Sequence, residues 1–283
     1  MYHKSKLLAL GSLCALLSPG FLSAAIVPLD FSNFVAVSGA STTFSNAGDQ
    51  WISSNVRGDN SVDAVFTITA TDNGSGNPLT ASQVAFVDES ARGNNMRVRV
   101  GGGGNEVTNA QVFITVSFWD AGTFGTANAN PFSWAVGDEL ITQISDIDSD
   151  VPSDRSDFGG VHMADYKERY TSDAIAPGSS LLVFDDSTIS DYGIAVMDQP
   201  WGPQDNVTDT SASAQSPVTA AFVSDAASEI RIVVGQLSNG DTGNRHIDVD
   251  MTPDFEIIPE VSSYGLILGL IGLGFVGVRR RRS

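Results

Sequence analysis

Gln111-Val112-Phe113-Ile114-Thr115-Val116-Ser117-Phe118-Trp119 is the stretch on which the fold turns. β-Branched and aromatic side chains fill it, and it reads as the strongest core strand of the chain. Working outward, Val62 to Thr69 is rich in β-branched residues. Met96-Arg97-Val98-Arg99-Val100 alternates aliphatic and charged side chains, which puts the arginines on one face and the aliphatics on the other. Glu229 to Val234 and His246 to Met251 repeat that alternation near the end. Between these runs stand turn formers: Asp72 to Pro78, Gly101 to Asn105, and Ser238-Asn239-Gly240-Asp241. Glycine and asparagine accept positive φ there, and proline fixes φ. No stretch sustains a helical period; Ala164 to Arg169 has room for one or two turns at most. Short strands at this spacing predict an all-β, jelly-roll-like β-sandwich over residues 26–257 and not a parallel α/β sheet. The absence of a fixed repeat argues against a propeller or solenoid. Asp209 to Pro217, small and polar, reads as a long loop or a weak subdomain boundary.

Composition narrows the function. The 283 residues carry 33 acidic and 15 basic side chains, a formal charge of -18, with 42% hydrophobic residues. That is apolar enough for a buried core. The charge is the wrong sign for phosphate recognition, so a nucleic-acid partner is not expected. The single cysteine, Cys14, excludes a disulfide framework.

The two ends carry addresses. Lys4 and Lys6 precede an apolar run from Leu7 to Leu17, then Pro19-Gly20 and the small residues Ser23-Ala24-Ala25. A basic n-region, short h-region and small-residue cleavage site describe a secretory signal peptide over residues 1–25, and the apolar run is too short to span a bilayer. Cys14 leaves with it, so the mature chain has no thiol chemistry. At the other end, Val261 to Val278 is uncharged and is followed at once by Arg279-Arg280-Arg281-Arg282. At about 1.5 Å per residue the run is just long enough for the hydrocarbon core, and the four arginines hold its end on the cytoplasmic side.

Immediately before this run stands Ile258-Pro259-Glu260-Val261-Ser262-Ser263-Tyr264. The order of short Pro-Glu motif, apolar helix and terminal arginines over residues 258–283 resembles the PEP-CTERM sorting tail of Gram-negative bacteria, with Val261 where the family usually has a second proline. The resemblance implies export by the Sec pathway and transient anchoring in the inner membrane. An exosortase-type processing enzyme would then recognise Pro259 and Glu260 and release the protein to the cell surface, in association with exopolysaccharide. Without both termini, nine basic side chains remain against 33 acidic ones, a charge of -24. Such a surface repels anionic partners and attracts divalent cations or cationic matrix material; adaptation to salty surroundings explains it equally well.

The acidic run Asp146, Asp148, Asp150, Asp154 and Asp157 places carboxylates at positions one, three, five, nine and twelve of an EF-hand-like spacing. Val151 stands where that loop needs glycine, and Asp157 where it needs a long glutamate. The flanks read as strands. Five carboxylates offer a loop calcium site; a solvated acidic loop is the plainer alternative. Zinc is not expected, because the mature chain holds only His162 and His246 and no cysteine. No Gly-x-Ser-x-Gly elbow, marked carboxylate pair or phosphate loop is present, so the chain is expected to be non-enzymatic. Of the four tryptophans, Trp201, flanked by Pro200 and Pro203, is the candidate for stacking on a sugar ring, and Trp119 is expected in the core. The leading expectation is an exported cell-envelope or extracellular-matrix protein. The alternatives are a calcium-assisted carbohydrate-binding module and a polysaccharide-degrading enzyme.

Overall fold

Alternation along the central strand builds the core. In the computed structural model, Val112, Ile114, Val116 and Phe118 are fully buried, while Phe113, Thr115, Ser117 and Trp119 between them face outward and are half-exposed. The structure describes residues 25–31, 34–37, 46–89, 95–101, 109–150, 155–172, 177, 179–198, 218–238 and 244–252. Residues 1–24 of the signal peptide, Asp154, Trp201, Asp209–Pro217 and the whole sorting tail, with Pro259, Glu260 and Arg279 to Arg282, lie outside them.

Along the chain the strands are β1 (Ala25–Ile26), β2 (Phe34–Ala36), β3 (Gln50–Ser53), β4 (Val62–Asp72), β5 (Val84–Glu89), β6 (Asn95–Gly101), β7 (Asn109–Asp120) and β8 (Asp138–Ser145). They continue as β9 (Ser149–Asp150), β10 (Arg155–His162), β11 (Glu168–Thr171), β12 (Leu182–Phe184), β13 (Tyr192–Met197), β14 (Ala220–Asp225), β15 (Glu229–Ser238) and β16 (Asn244–Asp250). One sheet runs β11-β14-β8-β16-β6-β5 and the other β12-β13-β10-β15-β7-β4-β3-β2, with β9 paired to β10. Each of these pairings is antiparallel.

The sheets face each other in a β-sandwich. Trp51 of β3 meets Phe86 of β5 at 6.0 Å between ring centroids, and Phe184 of β12 meets Phe222 of β14 at 5.9 Å. Between these edges Gly159 of β10 lies so close to Ile144 of β8 that a Cβ there would overlap the isoleucine methyl groups. Arg169 closes the β11–β12 side: its guanidinium lies 4.4 Å from the centroid of Phe184 and pairs with Asp186. The stretch from Ala164 to Arg169, with room for a turn of helix on sequence alone, forms a turn and then enters β11.

The two ends of the sandwich meet at one pole. Leu29, fully buried, bridges Met251, and Thr252 Oγ1 donates to the Leu29 carbonyl at 2.6 Å. Val27 N donates to the Glu139 carbonyl at 2.9 Å and Asp30 N to that of Val56 at 2.8 Å. At the same pole Asp63 ties two loops together, accepting from Asn55 N at 2.8 Å and Gly122 N at 2.7 Å.

Candidate functional site

The described parts of the acidic run pair antiparallel, β9 with the start of β10. Asp146 takes a left-handed conformation at φ 65°, Ile147 N donates to the Val218 carbonyl, and β9 then pairs with β10, setting Asp150 opposite Arg155. Asp157 N donates to the Asp148 carbonyl at 2.9 Å, so the two acids stand side by side. Asp157 points inward from one sheet and Arg245, in the same parity as Ile247 and Val249, points inward from the other. Arg245 Nε lies 3.0 and 2.8 Å from the Asp157 carboxylate oxygens, and its outer nitrogen contacts Asp148 as well. Asp146, Asp148, Asp157 and Arg245 are all buried. Burial pulls the Arg245 guanidinium below its ordinary pKa, and the Asp146 charge opposes that shift.

Calcium takes six to eight oxygen ligands; of the five acids, Asp154 and the side chain of Asp150 lie outside the described residues. Two of the candidate acids already converge on a guanidinium, which a metal would have to displace. Among the described residues no group of three or more His, Cys, Asp or Glu side chains is placed to hold a metal ion. Next to Asp157 in register stands Gln236, fully buried, whose amide nitrogen and oxygen have no hydrogen-bond partner among the described residues.

A second, more open arrangement lies on the outward face of the larger sheet. Register places Tyr192 of β13 beside His162 of β10, and Arg231 of β15 beside Thr115 of β7, Thr67 of β4 and Gln50 of β3 in succession. Tyr192 meets His162 at 5.1 Å and Phe113 at 5.7 Å between ring centroids, both edge to face. Asp165, in the turn after β10, accepts from Arg231 N at 2.9 Å, Nε at 2.9 Å and a terminal nitrogen at 2.6 Å. Gln50 Nε2 donates to Thr67 Oγ1 at 3.1 Å. His162 Nδ1 accepts from Ala164 N at 3.2 Å, so the uncharged ring carries its proton on Nε2. Burial raises the Tyr192 phenol above its ordinary pKa, against the pull of Arg231. Phe113, Thr115, His162, Tyr192 and Arg231 are each partly exposed.

The described tryptophans do other work. Trp51 packs against the core, and Trp134 stacks edge-on with Phe118 and Phe132 while its Nε1 donates to the Ala227 carbonyl at 2.8 Å. Trp119, expected in the core, is half-exposed on the outward face beside Phe124, and its Nε1 donates to Ser117 Oγ at 3.0 Å. The odd-numbered register of β7 turns it outward: one residue earlier, Phe118 is the one inside.

No protein-family model matches the chain, and no curated protein matches it. Among solved structures, it is similar to glucan-binding protein C of Streptococcus mutans, for which there is evidence that it mediates both sucrose-independent and sucrose-dependent adherence. The TM-score is 0.43 at 14% identity, covering 76% of this chain and 63% of that one. It is also similar to the adhesin domain of PrgB from Enterococcus faecalis, with a TM-score of 0.42 at 9% identity, covering 79% and 65%. This chain thus spans just under two thirds of the length of each.

Proposed function

We propose that this is an exported, non-enzymatic protein of the cell envelope or extracellular matrix, with a signal peptide at residues 1–25 and a PEP-CTERM-like tail at 258–283. In this reading the tail anchors the chain in the inner membrane by a single helix until an exosortase-type enzyme acts near Pro259 and Glu260, and the sandwich then associates with exopolysaccharide. The observation that carries it is the meeting of Leu29 with Met251 at one pole. The strands therefore close on themselves between the two address sequences, with Leu29 and Met251 bridged inside the sandwich. A binding role in place of a catalytic one is supported by the way acids are engaged: Asp157 and Asp148 hold Arg245, Asp165 holds Arg231, Asp248 holds Arg97 and Asp186 holds Arg169. Carboxylates committed to guanidinium groups are poor candidates for acid and base work, which needs a proton exchanged with substrate.

Terminal mass spectrometry of the protein recovered from native cells tests this reading. The expected product starts near residue 25 and ends near residue 260 in the envelope or medium fraction. Recovery from the cytosol with both termini intact would overturn it. Release of reducing sugar from a polysaccharide panel would overturn the non-enzymatic part alone.

A further inference from the structure

We propose that the outward face formed by β13, β10, β15 and β7 is a binding strip for an uncharged polysaccharide, with Tyr192, Phe113 and His162 as its stacking platform. The inference rests on the envelope-protein reading and names the ligand class that the sandwich would take there.

The geometry of the rings is the first argument. Tyr192 and Phe113 belong to strands three steps apart in the sheet order, and neighbouring strands stand about 4.8 Å apart. Their ring centroids are nevertheless 5.7 Å apart. Two side chains rooted that far from each other meet only by leaning along the sheet, so the pair spans the surface and does not project from it. On the same face Phe158, Ile194, Val196 and Val233 form a buried apolar patch, and the two rings pack against it. Half-buried rings lying along a sheet offer an apolar flank to whatever binds from solvent, and the C–H face of a sugar ring fits such a flank.

The polar groups are the second argument. Tyr192 Oη, His162 Nε2 and Thr115 Oγ1 make no hydrogen bond among the described residues, and all three lie on or beside the rings. Together they supply donors and acceptors spaced along the strip, as a run of sugar hydroxyls requires. Charge completes the choice of ligand. Arg231, the cation of the strip, is neutralised by Asp165 at two nitrogens and a backbone amide, and Asp191 and Glu229 border the face. On a chain of formal charge -18, an anionic polymer is repelled, whereas an uncharged one meets no electrostatic penalty.

Affinity electrophoresis of the full chain in mild detergent decides it, using gels that contain dextran, hydroxyethyl cellulose or alginate. At least one of the two neutral polymers is expected to retard the protein, and alginate is not. Tyr192→Ala should weaken that retention about tenfold with its melting temperature unchanged. Should Tyr192→Ala fail to fold, Thr115→Val removes one hydroxyl at constant shape and should weaken retention about fivefold. Passage of the wild-type chain through both neutral gels unretarded would overturn the proposal. So would wild-type retention by the folded variants, or stronger retention in alginate. A chain correctly trimmed at its termini that ignores the neutral gels removes the strip and leaves the sorting reading standing.

Discussion

Arg245 is the residue on which one end of the core depends. It brings a buried cation between Asp157 and Asp148, and removing one partner of such a cluster leaves uncompensated charge in the interior. Arg245→Met is therefore expected to cost about 3–5 kcal/mol in urea denaturation, and adding Asp157→Leu to restore part of it. Millimolar calcium should leave the wild-type melting temperature unchanged, because the guanidinium already occupies these oxygens; a calcium-dependent rise would show otherwise. A second residue-level expectation concerns alkaline pH. Burial, followed by the hydrogen bond to Glu168, pushes the Tyr170 phenol up to about 12, and the Asp225 and Glu139 carboxylates raise the Lys167 ammonium. Both groups hold their protons more tightly in the folded chain than in the unfolded one. Their contribution is thus complete below about pH 10, the ordinary tyrosine value, and is lost as pH climbs towards 12. Thermal melts from pH 9 to 12 should show this decline, and Tyr170→Phe should make it shallower.

Strand β10 shows how an element can be indispensable yet hard to read. Arg155-Ser156-Asp157-Phe158-Gly159-Gly160-Val161-His162 has a charge facing the core and two glycines in its middle, features that weaken a strand taken alone. Its place between β13 and β15 explains both. Gly159 lets Ile144 of the opposite sheet come down onto the backbone, and Asp157 meets Arg245. Gly159→Ala is expected to cost about 1–3 kcal/mol by overpacking. In the background of Ile144→Ala, which removes the colliding methyls, the added cost should fall towards zero, and a double-mutant cycle of denaturation midpoints measures the difference. The strands that the sequence made legible, β4, β6, β7, β15 and β16, are those with aliphatic alternation. Strands β8, β13 and β14 escaped notice because alanine, glycine and polar side chains dilute that pattern, and pairing supplies what the pattern lacks.

For the molecule as a whole, charge governs the response to salt. A chain of formal charge -18 repels itself when compact, while Arg97, Arg169, Arg231 and Arg245 are each spent on acids within the sandwich. Raising sodium chloride from about 0.01 M to 0.5 M shortens the screening length from roughly 30 Å to below 8 Å. The melting temperature is expected to rise over that range, and a flat or falling curve would mean that the local ion pairs outweigh the global repulsion.

The sequence by itself determined the all-β class, the place of the central strand and the turn chemistry between strands, and it supplied the terminal address signals behind the sorting reading. All of these rest on local periodicity and on short contiguous runs, which need no knowledge of neighbours. Tertiary structure alone decided that Asp157 faces an arginine 88 residues away, that Trp119 turns outward, and that Tyr192, His162 and Phe113 share one surface. Those are matters of strand order and register, and antiparallel pairing between distant segments is set by burial summed over both sheets.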